Sequence, residues 1–312
     1  MKLIKSKSLF LYIIINMTSY YNMQNFFKRF IGLIIIILLF FYLYTLYMRN
    51  KKTNIVVFDL DETLGHFVQL GIFCDVLEEY YKRKLSSNEF YEVMDIFPEF
   101  IRPNILKILA YLKIKKQKGE CNKVIIYTNN QGPKEWAQKI QKYFEKKINY
   151  KLFDQIIAAY KINGVINEQT RTTYDKTSRD LLNSANLPDH AEICFLDDLY
   201  HPLMDNDNTY YIHVDPYTHN IPFNVMAERY YNSKKRKFKQ IDQLDQTNFI
   251  NFIVKQSNKY NFPIKNKSLL AMNNDKRTDK EIFYHLRNFF KINKKRQTRR
   301  SKQKNNITKK KS

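Results

Sequence analysis

From residue 54 onward, short apolar runs alternate with longer stretches of helical period. The runs at 54–58, 123–127, 153–159, 192–196 and 209–214 have strand length and polar or turn residues at their ends. Continuous apolar runs of this kind predict strands buried on both faces, as in a parallel sheet. Between them, helices are predicted from Arg102-Pro103 to about 118, over 134–147 and over 176–185. A proline near the first turn suits the first of these, because its missing N–H would have no helical partner there. The alternation predicts an α/β domain over 53–235, a largely parallel sheet flanked by helices. Apolar residues recur at helical period over 241–262 and 280–290, which predicts a helical appendage over 236–290. Residues 291–312 are basic and poor in apolar content, and are expected to be disordered.

The pattern upstream differs. Residues 30–48 read FIGLIIIILLFFYLYTLYM and carry no charge. At about 1.5 Å per residue, a helix of this length spans a hydrocarbon core of about 30 Å. Lys28 and Arg29 precede it, Arg49, Lys51 and Lys52 follow, and tyrosines gather near its end as in an interfacial belt. A single transmembrane helix is therefore expected over 30–48, after a basic and apolar leader, 1–29. A second apolar stretch at 9–17 is too short to span. Neither stretch is followed by a small-residue cleavage site, so an uncleaved anchor is expected. The richer basic flank on the C-terminal side favours a cytosolic catalytic domain.

Composition changes this picture little and charge changes it more. Of 312 residues, 44% are hydrophobic, which is ordinary for a globular core, while the formal net charge is +23. Richness in Lys, Asn, Ile, Tyr and Phe, with only 6 Gly and 8 Pro, is what an AT-rich coding sequence writes, and accounts for part of that charge. About half of it lies in 287–312, which contains no acid. Such a tail can contact nucleic acid phosphates, attach to anionic lipid or remain solvated. The three cysteines, Cys74, Cys121 and Cys194, are widely spaced and form no CxxC pair, so neither a disulfide framework nor a zinc site is expected.

The candidate chemistry sits where the apolar runs end. The first run closes in Asp59-Leu-Asp61-Glu-Thr63, the second in Thr128-Asn129-Asn130-Gln131, the fourth in Asp197-Asp198. In an extended chain, positions two apart share a face, so Asp59 and Asp61 emerge together. Open α/β sheets bind ligands outside the carboxyl ends of their strands, where all three segments fall. Paired carboxylates with a hard cation suit phosphoryl transfer. Lys176 stands between the segments at 128–131 and 197–198, with Arg179 three residues on.

This ordered set resembles the haloacid dehalogenase superfamily of phosphatases over about 54–223. Asp59-Leu-Asp-Glu-Thr-Leu-Gly-His66 is similar to the DLDETLVH signature of the small C-terminal-domain phosphatases and their nuclear-envelope relatives. Arg102-Pro103 and Asn220-Ile-Pro-Phe223 are similar to further segments of that group. Two features depart from it. Asp197-Asp198-Leu-Tyr-His-Pro202 lacks the usual Ser-Pro, and Thr128-Asn-Asn-Gln131 looks more like the polynucleotide phosphatase branch.

The resemblance implies a Rossmann-like sheet with a small cap or none, and a Mg2+ cofactor. It implies Asp59 as nucleophile, Asp61 as general acid and base, Thr128 as a phosphoryl hydrogen-bond donor and Lys176 as charge stabiliser. Thr63, Asn129 and Arg102 are candidate substrate contacts, and for Arg102 a structural role, pairing with an acid, is the favoured alternative. The implied metal ligands are Asp59, Asp61 through its carbonyl, and one of Asp197 and Asp198. Asp198 is the expected ligand, with Asp197 the partner of Lys176. His66 is as consistent with a turn as with a substrate contact, and Trp136 with helix packing. Fewer than about forty residues separate Leu64 from Arg102, too few for a large cap. The expected substrate is a phosphoserine or phosphothreonine protein. A polynucleotide 3′-phosphate is the alternative, and a fold retained as a scaffold without turnover is the third reading.

Overall fold

The computed structural model describes residues 31, 34–43, 53–237, 243–265 and 267–309. The chain divides into two units, Met1–Lys52 and Thr53–Ser312. In the first, residues 34–43 are helical with exposed apolar side chains. Among the described residues no helix is long and apolar enough to cross a membrane. The rest of the expected 30–48 span, apart from residue 31, and the whole 1–29 leader lie outside the described residues.

The second unit is built on a five-stranded parallel sheet of order β3-β2-β1-β6-β7. Its strands are β1 Asn54–Phe58, β2 Lys123–Tyr127, β3 Gln155–Ile157, β6 Glu192–Asp197 and β7 Thr209–His213. A two-stranded hairpin, β4 Lys161–Ile162 and β5 Val165–Ile166, stands apart from it. Alternate side chains of each strand enter opposite layers. Val56, Phe58, Val124, Ile126, Cys194 and Leu196 face the thicker helical layer. Ile55, Val57, Ile125, Tyr127, Ile193 and Phe195 face the thinner one, covered by Leu181 and Met204. Nearly all are fully buried. Each such aliphatic or aromatic side chain stabilises the fold by about 1.5–3 kcal/mol.

Helices α1 Val68–Tyr81, α2 Ser87–Ile96, α3 Ile105–Gln117 and α4 Lys134–Ile148 contribute to the thicker layer, and α5 Ser178–Ser184 covers the other face. Helices α6 Phe223–Lys237, α7 Gln243–Ser257 and α8 Leu269–Lys309 extend the thicker layer. The chain runs β1 to β2 to β3 in one direction, then returns to β6 and β7 on the other side of β1. The strand order therefore reverses between β1 and β6, and a crevice opens at such a switch point.

Several boundaries differ from the sequence expectation for identifiable reasons. β3 is shorter than 153–159: Phe153 N donates to Glu145 Oε1 at 2.9 Å and not to a neighbouring strand, while Asp154 fastens the start of β2, its N–H donating to Val124 O at 2.8 Å and its Oδ2 accepting from Val124 N at 2.8 Å and Lys116 Nζ at 2.6 Å. α3 begins at Ile105 because Asn104 takes a left-handed φ of 58°, so Arg102-Pro103 precedes the helix rather than opening it. α5 begins at Ser178 because the Thr177 hydroxyl caps Asp180 N, which leaves Lys176 outside the helix. The stretch between Leu64 and Arg102 holds α1 and α2, which the sequence pattern did not separate. Ser86 starts α2 with a capping box closed by Glu89. Both helices send Phe73, Val76, Phe90 and Val93 into the main core, so this insertion is part of the domain layer. The basic segment expected to be disordered continues α8 to Lys309. No glycine or proline interrupts 269–309, and its Lys, Arg and Gln are good helix formers. Residues 310–312 lie outside the described residues.

Candidate active site

Asp59 is the first residue beyond β1, and its N–H donates to Leu196 O of β6 at 2.9 Å. That bond extends the β1–β6 ladder to the strand ends and brings Asp59 beside Asp197, the last residue of β6. One carboxylate oxygen from each of Asp59, Asp197 and Asp198 lies within 4.8 Å of the others. The Lys176 ammonium enters this cluster from the loop before α5. It donates to Asp59 Oδ1 and to Asp197 Oδ2, the latter at 2.7 Å. All three side chains are almost wholly buried.

The electrostatics follow from burial and from this crowding. Burial pushes the Asp59 carboxyl up to about 8; the Lys176 ammonium opposes that shift and the neighbouring Asp197 adds to it. Burial also works to discharge Lys176, but attraction to Asp59 and Asp197 prevails and holds its pKa above the ordinary lysine value. At Asp197 burial is outweighed by His201, Lys176 and the Leu199 N–H, so its carboxyl lies below the usual range. His201 Nε2 is 3.5 Å from Asp197 Oδ2, at the outer limit of hydrogen bonding. Asp198 is raised by burial and by Asp197.

Three carboxylates against one ammonium leave the cluster short of positive charge. An all-oxygen donor set of this kind fits a hard divalent cation. The oxygens of Asp197 are already engaged, Oδ2 by Lys176 and Oδ1 by Leu199 N at 2.9 Å. Asp198 receives the Thr63 hydroxyl on Oδ1 at 3.0 Å. Thr63 is thus buried against Asp198 and orients it, a different role from the substrate contact expected of it.

Asp61 does not join the cluster through its carboxylate. Its Oδ2 accepts from Asn130 Nδ2 at 2.6 Å, across the gap from β1 to the turn after β2, while Oδ1 is buried with no hydrogen-bond partner among the described residues. Burial lifts its pKa to about 6, against the lowering effect of the Asn130 bond. Asn130 was not singled out from sequence. It also braces its own turn, with Oδ1 accepting from Gly132 N at 2.8 Å. Thr128, 2% exposed, sits at the carboxyl end of β2 with its oxygen accepting from Asn130 N at 3.0 Å. Its hydroxyl hydrogen has no acceptor among the described residues. Asn129 is exposed, and its Oδ1 accepts from Arg171 at 2.8 Å.

Arg102 does not face the site as a substrate contact. It is buried, and its guanidinium donates to the carbonyls of Thr63 at 2.7 Å, Glu62 at 2.6 Å and Asp215 at 2.7 Å. A single cation thereby holds the loop between Asp61 and Leu64, including Glu62 at a left-handed φ of 60°. Gly65 ends the same loop. A Cβ there would collide with the Phe100 carbonyl oxygen and the Phe67 ring, so glycine is required. His66 closes the turn: its N–H donates to Phe100 O at 2.7 Å and its Nδ1 lies 2.8 Å from Glu62 Oε1. Arg179 is exposed on α5, and among the described residues Lys176 is the buried cation bonded to the cluster.

A cavity of about 710 Å3 adjoins the site at Asn130 and runs between α1 and α4. Phe67, Val68, Ile72, Phe90 and Trp136 line it. Trp136 also packs edge-on against Phe90 with ring centroids 5.4 Å apart. The three cysteines are buried and free, and none belongs to the acidic cluster.

No protein-family model, curated protein or solved structure matches this chain.

Proposed function

We propose that this chain is a Mg2+-dependent phosphatase of the haloacid dehalogenase type. It would hydrolyse phosphomonoesters through an aspartyl-phosphate, with phosphoserine or phosphothreonine protein as substrate. The observation that carries the reading is the Lys176 ammonium shared by Asp59 and Asp197, with Asp198 completing the acidic cluster. Residues 59, 176 and 197–198 come from separate segments, and packing has brought them to one point at the switch of the sheet.

In this reading the Asp59 oxygen not held by Lys176 attacks phosphorus, and the ester P–O bond breaks. Asp61 gives its proton to the departing alkoxide. Its unpartnered Oδ1 is the atom available for that transfer, and a carboxyl lifted to about 6 is well matched to give and regain a proton near neutrality. Water then attacks the aspartyl-phosphate, Asp61 takes a proton from it, and the P–O bond to Asp59 breaks to release inorganic phosphate. Thr128 donates its free hydroxyl hydrogen to a phosphoryl oxygen. Lys176 stabilises the charge that develops. Asp59, Asp198 and the Asp61 carbonyl would hold Mg2+, which supplies the positive charge the cluster lacks and keeps Asp59 ionised. The choice of Asp198 over Asp197 is supported by the prior engagement of both Asp197 oxygens.

The cavity reaches Asn130, the hydrogen-bond partner of Asp61, and would give room for a substrate extending beyond its phosphate. The apolar 30–48 segment would anchor the protein in a membrane with the catalytic unit on the cytosolic side. The basic end of α8 would add attachment to anionic lipid or to nucleic acid. The Thr128-Asn-Asn-Gln131 turn favours one second reading, a polynucleotide 3′-phosphatase.

The test is Mg2+-dependent phosphate release by the full chain in detergent. A phosphoserine peptide and a 3′-phosphorylated oligonucleotide would be offered side by side, with Asp59→Asn as control. Release from the peptide that disappears in the variant supports the proposal, and preference for the oligonucleotide moves it to the second reading. No release from either substrate, with wild type and variant alike, leaves the fold as a scaffold.

A further inference from the structure

Lys176 reaches the acidic cluster from a loop with no regular secondary structure, residues 167–177. A lysine side chain has many rotamers to lose, so an unsupported loop would deliver its ammonium poorly. Two neighbours remove that freedom. Arg171, 2% exposed, donates to five acceptors. Nη1 reaches the Thr128 carbonyl at 3.3 Å, Asn129 Oδ1 at 2.8 Å and the Ala158 carbonyl at 2.9 Å. Nη2 reaches the carbonyls of Tyr174 at 2.9 Å and Asp175 at 3.1 Å, immediately before Lys176. One guanidinium thus ties the carboxyl ends of β2 and β3 to the backbone that carries the lysine. Immediately beyond it, Thr177 N donates to the Tyr127 hydroxyl at 3.3 Å. The Tyr127 ring itself lies 4.8 Å from the Arg171 guanidinium carbon. At the far end, Asp180 accepts from Thr172 N and Oγ1, both at 3.0 Å.

We propose that Arg171 is a positioning residue that fixes Lys176 against Asp59 and Asp197 and Thr128 in register with them, with the Tyr127 hydroxyl as its second anchor. Arg171 touches no reacting atom. It acts through the loop, and its catalytic effect rests on the phosphatase reading above, whereas the anchoring itself does not. A guanidinium is required because a lysine ammonium presents three donors from a point and cannot bridge five acceptors spread over three segments.

The test combines kinetics with hydrogen exchange on the full chain. A misplacement of about 1 Å costs on the order of 100-fold, so Arg171→Ala is expected to lower kcat by about 10–100-fold with KM little changed. Arg171→Lys is expected to recover little of that loss. In a Lys176→Ala background the same substitution should cost less than about twofold more, because residues acting through one group are not additive. In parallel, amide exchange over 172–177 should quicken in Arg171→Lys and Tyr127→Phe while β1 and β2 stay protected. Equal losses in both backgrounds, or unchanged exchange over 172–177, would overturn the proposal. If Arg171→Ala also opens the sheet, Tyr127→Phe decides, since it removes one oxygen and nothing else. If Asp59→Asn proves as active as wild type, the catalytic reading has failed, and the exchange result still judges the anchoring.

Discussion

Lys176→Met offers the sharpest perturbation, since it keeps the unbranched apolar stem and removes the ammonium that bonds Asp59 and Asp197. The lysine is 2% exposed and its partners Asp59 and Asp197 are 10% and 1% exposed, so solvent can do little to screen the loss. Removing one partner from a buried ion pair costs about 3–5 kcal/mol, because the other charge is left without compensation. Proton uptake caps that cost here. Asp59 already lies at about 8 with the lysine present, and without it the carboxyl moves further up and is neutral at ordinary pH. A destabilisation near the lower end, about 3 kcal/mol, is therefore expected in metal-free urea unfolding.

A divalent cation should replace part of the missing charge. A ligand bound only by the folded state adds about 2.7 kcal/mol at a hundred times its dissociation constant. The stabilisation by Mg2+ should be larger in the variant than in wild type. Turnover should fall by about 100–1000-fold, the usual effect of deleting a transition-state charge stabiliser. The reasoning is refuted if the metal-free variant is as stable as wild type, or if Mg2+ stabilises both equally while phosphate release is unchanged.

Asn130→Ala should reduce kcat by about 10–100-fold with little change in KM, since a hydrogen bond to a charged group is worth about 1.5–3 kcal/mol; steady-state phosphate release checks it. Arg102→Leu should destabilise the fold by about 3 kcal/mol or more in chemical denaturation, because three carbonyls lose their donor, Glu62 its support and buried Asp279 its cation. The contrasting Thr63→Val should leave the fold intact, measured by thermal unfolding, and weaken Mg2+ binding by about 10-fold, the usual effect of losing a partner that orients a metal ligand. Asp279, on α8, is buried with both oxygens unbonded, 3.8 Å from Arg102 Nη1, and burial lifts it to about 6. The folded state therefore binds this proton more tightly than the unfolded chain. Its contribution to stability is present below the ordinary value of 3.8 and is lost as pH rises toward about 6. Thermal unfolding across that window should show a smaller decline in Asp279→Asn than in wild type, the remainder belonging to Asp59 and Asp61, which burial also raises.

The candidate site was legible in part because its signals are local. Asp59, Thr128, Lys176 and Asp197-Asp198 each follow an apolar run or stand near a helix start, and the structure brings all of them to the carboxyl ends of β1, β2 and β6 or to the loop before α5. The residues that support them gave no such signal. Arg171 is one basic residue in a chain with 53 Lys and Arg, and Asn130 is one of two adjacent asparagines. Arg102 stood in a suggestive dipeptide, but its partners are 39, 40 and 113 positions away in the chain. Thr63 was expected at the substrate and instead meets Asp198, 135 positions on.

The sequence by itself determined the five strands of the parallel sheet, several of the helices and the segments that carry the candidate groups. Burial on two faces imposes a continuous apolar run, and packing on one face imposes a helical period, so both can be read within a window of a few turns. Only the tertiary structure decided which carboxylate meets the lysine, where Asp61 turns, and which arginine braces a loop. Those outcomes depend on hydrogen bonds between segments whose meeting point is set by the strand order, β3-β2-β1-β6-β7. That order is fixed by the packing of the whole domain, and no single stretch of chain contains it.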